Sequence, residues 1–401
     1  MKNYPWRWTV VTPMLLALLA FLYAGGMSIA AQAQAARTVK IGVLNPVSGG
    51  LAIFGQWENQ GIELYFNNHE IEGVNVELVF ADTAGNPQQA LDQARRLIDR
   101  EKVDFLMGTV NSAVSVPLAQ FADEAEVPLL IVIAGARAVT GEGRSPFVFR
   151  VAMANGQQER PLGWYVGEKL GLKRAAPFAW NFLVGEERAG MFIDAFTAAG
   201  GTIATQQMPP LGTTDYGPFI GRVDPNRVDV IYAFFAGPGA IAFMQQLQEF
   251  GLTPRLQVVA DGYFSTGVLG AMSETALGLV QASQYVSSLD NPANRRFLVL
   301  FSAQIGGEPN MYIEEGYLGG EVAARAIQAV KGDLSDTQAF LSALARLEFI
   351  GTSGPFRFDD NGQSVRNIYL TEVVRAEDGG IRQKLIDIIS NVSQNWTPPE
   401  G

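Results

Sequence analysis

Short apolar runs alternate with amphipathic stretches along the first half of the chain. Four runs have the length and composition of strands: Thr38–Leu44, Val76–Phe80, Val103–Gly108 and Val127–Ile133. The last two are nearly continuous in apolar residues, which is typical of buried parallel strands. Helical periodicity begins at Gln56, at Pro87 behind an Asn86 cap, and near Ser112. This order predicts βαβ units, in which helices cover both faces of a parallel sheet.

The same alternation returns in the second half. Strands are predicted at Ala175–Phe182, Ile203–Met208, Val228–Ala236 and Gln257–Ala260. Helical segments lie between them, among them Glu187–Ala199 and Ala240–Phe250. Two α/β halves of similar rhythm predict two doubly wound lobes with a cleft between them.

The pattern changes after about residue 284. Long helical patterns cover Pro292–Ile305 and Tyr312–Val330, and a shorter one lies near Asp336–Ala345. The tail then alternates with a period of two. Phe356–Phe358 and Ile368–Val374 flank the turn Asp359–Gly362, which predicts a β-hairpin.

The first 35 residues have the features of an export signal. Lys2 and Arg7 supply positive charge, and Val10–Tyr23 is an apolar segment of about 14 residues. Ala33 or Ala35 ends a small-x-small cleavage pattern. A permanent membrane anchor is the alternative, but an apolar helix needs about 20 residues to cross a bilayer. We therefore expect residues 1–35 to be a cleaved signal peptide and the mature chain to be periplasmic.

Composition excludes several classes of function. Loss of the two cations in the signal peptide takes the net charge from −11 to about −13, which argues against nucleic acid and anionic lipid as partners. The chain has no cysteine and one histidine, His69, so thiol catalysis and cysteine metal sites are excluded and a histidine-based triad is disfavoured. We expect no catalytic residue, no metal and no cofactor. A mature chain of about 365 residues exceeds what one core usually holds, which again predicts two lobes.

Six segments, taken in order, carry a resemblance to a known family. They are NPVSGGLAIFGQ, FADTAGNPQQALDQARRLI, DFLMGTVNSAVSVPLA, VPLLIVIAGA, PLGTTDYGPFIGRV and GTSGPFRFDDNGQSVRNIYL. Through them the mature chain resembles the periplasmic leucine/isoleucine/valine-type substrate-binding proteins of branched-chain amino-acid ABC transporters. The resemblance implies the type I periplasmic binding fold, with two Rossmann-like lobes joined by three crossings. It also implies interleaved lobes, 36–154 with 284–352 and 155–283 with 353–401, in a monomer that docks on a membrane permease.

Ligands of open α/β sheets bind where the strands end at their carboxyl edge, and the residues at these positions are the candidates. In the first lobe they are Ser48, Gly49, Phe54, Asn111, Ser112, Ala134, Gly135 and Ala136. Tyr312, at the start of a helical pattern, is a further candidate from this lobe. The glycine loop can bring backbone N–H groups to a ligand, or it is an ordinary tight turn. Ser112 can cap a helix, whereas the resemblance implies that it binds a ligand carboxylate at a helix N-terminus. Arg137 can bind a carboxylate or face solvent.

In the second lobe the candidates are Phe182, Val184, Phe234, Phe235, Asp261 and Tyr263. The resemblance implies that Asp261 pairs with the ammonium group of a ligand, and a strand-end turn is the alternative role. A desolvated pair of this kind selects for an amine. Across both lobes the candidates contain few hydroxyls and many rings, which favours a hydrophobic amino acid or an aromatic carboxylate over a sugar or a phosphate ester.

The predicted function is therefore that of the extracytoplasmic component of an ABC importer, which is not an enzyme. It captures a hydrophobic amino acid or a related small carboxylate by lobe closure, or alternatively an aromatic acid of the benzoate or phenylpropanoid type. An exported NAD(P)-dependent oxidoreductase is the competing class, because Gly237–Ala242 matches G-x-G-x-x-A and Asp261 ends the next strand. A sensor ectodomain of the same fold is a third class.

Overall fold

The computed structural model describes residues 1–3, 36–141 and 143–399. Nearly all of the predicted signal peptide lies outside the described residues, so its cleavage stays a prediction. No helix in the described part of the chain is long and apolar enough to cross a membrane. Everything below concerns the chain from Arg37 onward.

Five parallel strands form the first sheet, in the order β2-β1-β3-β4-β5. They are β1 (Arg37–Asn45), β2 (Val74–Asp82), β3 (Phe105–Gly108), β4 (Leu129–Ile131) and β5 (Val148–Arg150). The connecting helices are α1 (Ala52–Phe66), α2 (Pro87–Asp99) and α3 (Ser112–Glu124). As predicted, α2 begins at Pro87, and the Asn86 side chain caps it by accepting a hydrogen bond from the Gln89 amide at 3.0 Å.

The second sheet has nine strands, and its parallel part has the order β10-β9-β8-β6-β7. These strands are β6 (Arg174–Ala179), β7 (Thr202–Ile203), β8 (Val230–Phe234), β9 (Gln257–Asp261) and β10 (Val280–Ser283). The helices in this part are α4 (Glu159–Trp164), α5 (Leu183–Ala198), α6 (Gly217–Ile220), α7 (Pro238–Glu249) and α8 (Leu269–Met272). An antiparallel part adds β11 (Glu348–Gly351), β12 (Gly354–Phe358), β13 (Ser364–Arg375) and β14 (Ile381–Val392), with β13 paired to β10.

The chain passes from the first sheet to the second after β5 and returns after β10. It then adds three helices to the core of the first sheet: α9 (Pro292–Gln304), α10 (Met311–Ala329) and α11 (Thr337–Ala345). The chain then returns to the second sheet through β11, β12 and β13. Phe356 and Phe358 on β12 pack into the first core, although β12 is hydrogen-bonded to the second sheet. The division into two interleaved lobes and the residue boundaries of those lobes stay a prediction.

Helices α1 and α10 cross in close contact through two glycines. A Cβ atom at Gly61 would lie 2.0 Å from the Ile313 carbonyl oxygen, and one at Gly316 would lie 2.2 Å from the Glu58 carbonyl oxygen. Only a residue without a side chain allows the two backbones to approach this closely. The contact holds the start of α10 against α1, and this places Tyr312 beside Phe54.

Two helices begin earlier than their sequence pattern indicates. Helix α1 begins at Ala52 rather than Gln56, and α5 begins at Leu183 rather than Glu187. Their N-cap residues are Leu51 and Phe182, and neither side chain makes a capping hydrogen bond. Because polar caps are the main sequence signal of a helix start, neither start could be located from the residues. Because both helices begin earlier than predicted, the N-terminus of each lies closer to the carboxyl end of the preceding strand, where the candidate residues lie.

Candidate functional site

A cavity of about 280 Å³ lies where strand ends of the first sheet meet those of the second. Its lining is mostly apolar and aromatic and comprises Leu51, Phe54, Val110, Asn111, Ser112, Ala113, Ile133, Gly135, Asn155, Trp180, Phe182, Val184, Arg188, Leu211, Phe234, Ala236, Tyr263 and Tyr312. Both sheets contribute lining residues. A ligand in this cavity would therefore contact both lobes.

Aromatic rings from both lobes form a wall made of two groups. Phe54 stacks on Tyr312 with 4.8 Å between ring centroids, and Tyr312 packs against Tyr263 at 5.3 Å. On the other side, Phe182 stacks on Phe234 at 6.3 Å. Rings in such offset arrangements present large, rigid apolar faces. The wall suits a ligand with a planar or branched apolar body.

Arg188 closes the gap in this aromatic wall. Its guanidinium carbon lies 5.0 Å from the centroids of both Phe234 and Tyr263, so the cation is stacked between two rings. The side chain comes from the second turn of α5 and is only 4% exposed. Of the described residues that line the cavity, it is the one that carries a charge.

Two buried carboxyl groups hold Arg188 in place. Its Nη1 donates to Asp261 Oδ2 at 2.6 Å and to Glu159 Oε1 at 2.7 Å. Its Nε donates to Asn155 Oδ1 at 3.1 Å. Asp261 is anchored in turn, because its Oδ1 accepts a hydrogen bond from the Tyr263 amide at 2.9 Å. The guanidinium is thus fixed at the back of the cavity.

Burial sets the charge state of this cluster. Burial alone would lower the pKa of Arg188, but the carboxyl groups of Glu159 and Asp261 outweigh that effect and raise it, so Arg188 stays charged. Burial raises the pKa of Asp261 to about 8; Arg188 opposes the shift and neighbouring Glu159 adds to it. Near neutral pH Asp261 therefore keeps a proton beside the charged guanidinium of Arg188.

Helix N-termini also point at the cavity. Ser112 and Ala113 open α3, and Phe182 and Val184 lie at the start of α5. The α3 cap is Asn111, whose Oδ1 accepts a hydrogen bond from the Ala113 amide at 3.0 Å, so Ser112 is the first helical residue rather than the cap. The positive end of a helix dipole favours an anion. Both helix starts therefore favour a negatively charged group near this end of the cavity.

The structure brings nine of the fifteen sequence candidates together around the cavity. They are Phe54, Asn111, Ser112, Gly135, Phe182, Val184, Phe234, Tyr263 and Tyr312. A glycine is required at position 135, because a Cβ there would lie 2.3 Å from Asn155 Oδ1. Their roles towards a ligand stay predictions.

Six candidates do not line the cavity. The Ser48 hydroxyl donates to Asp82 Oδ2 at 2.5 Å, and Gly49 forms the adjacent turn with φ +77°. Ala134 and Ala136 are buried, with their carbonyl oxygens directed at the Arg150 guanidinium. Phe235 points the other way from Phe234, because successive strand residues face opposite sides of a sheet, and it packs against Trp180, Tyr216 and Phe243.

Asp261 is the most consequential of the six. Its carboxyl group is fully buried and bound to Arg188, so it does not face the cavity. The resemblance implied an ammonium group of the ligand at this carboxylate. In this chain a guanidinium of the protein itself fills that place.

Nine of the eighteen lining residues were not among the sequence candidates, including Arg188, Asn155, Trp180 and Leu211. Arg188 lies in a helix, and its partner Asp261 is 73 positions away in the sequence, so no local pattern links the two residues. One signal was available: Arg188 follows the predicted strand Ala175–Phe182 by six residues, in the first turns of a helix at the carboxyl edge. Arg137, the cation that was considered, contacts Met191 of α5 and does not line the cavity.

Contacts across the cleft describe a closed arrangement. The Arg137 amide of the first lobe donates to Glu187 Oε2 of the second lobe at 3.4 Å, and Asn155 Nδ2, at the start of the second lobe, donates to the same oxygen at 2.7 Å. Gly237 of the second lobe lies against the Phe54 ring, since a Cβ there would be 3.6 Å from it. The lobes are therefore in contact around the cavity.

A second buried cluster of charges lies between the two sheets. Arg366 of β13 and Gln284 both donate to Glu315 Oε1, each at 2.5 Å. Glu314 Oε2 lies 3.7 Å from Arg366, and Glu58 of α1 is nearby and fully buried. Burial raises the pKa of Glu58 to about 8; the Asn45 side chain opposes the shift and Glu315 adds to it. Gln284 also donates to the Tyr263 hydroxyl at 3.0 Å, which connects this cluster to the cavity.

Comparison with known proteins accounts for this architecture. The periplasmic binding protein family model matches residues 38–380. The chain belongs to this family. A Leu/Ile/Val-binding protein homolog of Brucella melitensis is 28% identical over 368 residues, which cover 90% of this chain and 93% of that protein. Members of the family are periplasmic.

Solved structures agree with the predicted type I fold, which is thereby confirmed. An ABC transporter substrate-binding protein from Sphaerobacter thermophilus superposes with a TM-score of 0.86 at 33% identity, covering 89% of this chain and 99% of that one. A solute-binding protein of an R. palustris ABC transporter, solved in complex with benzoate, has a TM-score of 0.80 at 29% identity, covering 88% and 98%. The protein is thus a periplasmic binding protein of an ABC transporter.

Proposed function

We propose that this periplasmic binding protein captures a small carboxylate with an apolar, single-ring or branched body. The observation that carries the proposal is the composition of the cavity, in which aromatic walls from both lobes surround one buried cation, Arg188. Apolar ligand surface gains free energy by leaving water for such walls. A carboxylate gains charge-assisted hydrogen bonds from the guanidinium and from helix N-termini.

The size of the cavity restricts the ligand. A cavity of about 280 Å³ lies at the small end of the range for ligand pockets, roughly 300–1,000 Å³, and so favours a small ligand with one ring or one branched chain. Benzoate and leucine both meet this limit. Size therefore leaves the two ligand classes open, and charge has to decide between them.

An aromatic or other amine-free acid is favoured over a hydrophobic amino acid. The R. palustris neighbour binds benzoate, and the Brucella relative carries a Leu/Ile/Val-binding name. Here no carboxylate is found among the described residues that line the cavity, and Asp261 is bound to Arg188. A buried ammonium group without an anionic partner is unfavourable. The hydrophobic amino acid remains the second candidate.

Capture proceeds by closure of the lobes. A ligand that touches Tyr312 and Phe54 on one side and Phe234 and Arg188 on the other stabilises the closed state, because only that state offers both sets of contacts. The hydrogen bond from the Arg137 amide to Glu187 Oε2 at 3.4 Å adds a contact of the protein itself across the cleft. The closed, monomeric protein then docks on the membrane permease of its transporter, and it performs no chemistry and needs no cofactor.

The structural setting of the G-x-G-x-x-A segment disfavours an oxidoreductase. Pro238 begins α7, and Gly237 lies against Phe54 in the cleft. Asp261, which would have to bind a ribose hydroxyl, is buried and held by Arg188. Saturable micromolar binding of NAD(P) in a fluorescence titration would contradict this assignment.

Export completes the proposed function. We expect the signal peptide to be cleaved after Ala33 or Ala35, and intact-mass measurement of the protein recovered from the periplasm checks this. A mass that retains residues 1–35 would instead indicate an anchored protein.

A thermal-shift screen tests the ligand class. The panel contains benzoate, 4-hydroxybenzoate, 3-phenylpropanoate and hydrophobic amino acids. A ligand at 100 times its dissociation constant stabilises the folded state by about 2.7 kcal/mol, which such a screen detects. We expect the acids to raise the melting temperature. If no carboxylate of either class does so, the proposed ligand class is refuted.

A further inference from the structure

The donors of Arg188 are only partly used within the protein. A guanidinium has five N–H donors and no acceptor. Nε is bound to Asn155, and Nη1 is bound to Asp261 and Glu159. For Nη2, no acceptor is found among the described residues, while the side chain lines the cavity. A buried cation thus presents unused donors at the position of a ligand.

The groups that would stabilise a second cation next to Arg188 are already engaged by it. Phe234 and Tyr263 each present a ring face to the guanidinium at 5.0 Å. Glu159 and Asp261, the nearest acids, are fully buried and face Arg188. An α-ammonium group in the cavity would lose its water and meet a like charge.

We infer that Arg188 determines ligand specificity by taking the place of a ligand ammonium group. Its Nη2 binds the carboxylate of the ligand, while its Nη1 occupies Asp261 and so removes the group that would bind an amine. The ligand class is therefore the monocarboxylate without an α-amino group. This inference rests on the proposed function, since it names the recognition element of the same cavity.

Matched ligands that differ by one group test the inference on the unmodified protein. Isothermal titration calorimetry compares 3-phenylpropanoate with L-phenylalanine and 4-methylpentanoate with L-leucine, with 3-phenylpropan-1-ol as the uncharged analogue. We expect each acid to bind roughly 100-fold or more tightly than its amino acid, because the added ammonium group is buried unpaired. We expect the alcohol to bind more weakly than the acid by roughly 30-fold.

The outcomes separate the inference from the proposed function. If an amino acid binds as tightly as its amine-free partner, the function stands and the inference is overturned. If no member of either pair binds and benzoate does not bind, the proposed function itself fails. If the alcohol binds as tightly as the acid, Arg188 does not recognise the carboxylate and the inference fails.

Variants then connect the effect to Arg188. Arg188→Met should weaken binding of 3-phenylpropanoate by roughly 30-fold or more and leave binding of the alcohol within a few-fold of the unmodified protein. Arg174→Met is the matched control, because Arg174 also pairs with an aspartate, Asp229, but lies exposed at the start of β6. Unchanged acid binding by Arg188→Met would overturn the inference. Should that variant fail to fold, Arg188→Lys, which keeps the charge but loses the fork of donors, should lose at least tenfold.

Discussion

The buried carboxyl group of Glu58 makes stability depend on pH in an unusual direction. Glu58 lies on α1 with no exposed surface, beside the Asn45 side chain and near the carboxyl group of Glu315. An ionised carboxylate in this position would be strongly unfavourable. Burial accordingly raises the pKa of Glu58 from its ordinary value of 4.5 to about 8. The folded protein therefore keeps this proton through neutral pH.

The sign of the effect follows from the protons bound in each state. Between pH 4.5 and 8 the unfolded chain has lost the Glu58 proton and the folded chain has not. Folding then takes up a proton, so the free energy of unfolding falls as pH rises, by about 1.4 kcal/mol per pH unit for this group. From pH 5 to 7.5, Glu58 alone should remove about 3 kcal/mol of stability.

Glu58→Gln removes the titration while nearly keeping the shape of the side chain. We expect the free energy of unfolding of the variant, relative to the unmodified protein, to rise by about 3 kcal/mol between pH 5 and 7.5. Urea denaturation at several pH values measures both curves. Glu63→Gln is the matched control, since Glu63 lies on the same helix and is exposed, and it should run parallel to the unmodified protein. Parallel curves for Glu58→Gln would refute a protonated Glu58.

Three further outcomes are expected. Asp261→Asn should change the affinity for an amine-free acid by less than about threefold, because Asp261 carries a proton near neutral pH. If Asp261 instead held an amino-acid ligand, the substitution would cost about 2 kcal/mol or more of binding free energy, a difference that calorimetry resolves. Acid binding should weaken as pH rises past about 8, because Asp261 then loses its proton and adds a negative charge behind Arg188. Asp261→Asn should flatten this profile, and binding that strengthens with pH would contradict the assignment. Gly61→Ala should destabilise by at least about 2 kcal/mol in urea denaturation, because its Cβ would clash with the Ile313 carbonyl at 2.0 Å. Gly190→Ala, a helical glycine with open space around it, should be neutral or stabilising, and equal effects of the two substitutions would contradict the close helix contact.

Local signals predicted much of the fold because they act within a few residues. Asn86 and Pro87 mark the start of α2 by capping chemistry, and the structure confirms it. The buried strands β3 and β8 were visible as apolar runs. By contrast, β14, whose inward and outward residues do not alternate regularly, was not predicted. Its pairing with β13 depends on tertiary contacts that local propensity does not contain.

The chemistry of the site depended on contacts between distant residues. The sequence placed Asp261 at a strand end, but its charge is engaged by Arg188, 73 positions away, and no local pattern indicates this pairing. Phe234 and Phe235 were equivalent as residues, and only the direction of the strand decides which of them faces the cavity. Arg188 itself was hidden because the start of α5, at Leu183, has no polar cap.

The most direct test of carboxylate recognition by Arg188 is a crystal structure of the protein with benzoate bound. We expect the carboxylate within hydrogen-bonding distance of Arg188 Nη2, and the ring between the Phe54–Tyr312 pair and the Phe182–Phe234 pair. A benzoate carboxylate directed away from Arg188, or bound outside this cavity, would contradict the proposed recognition.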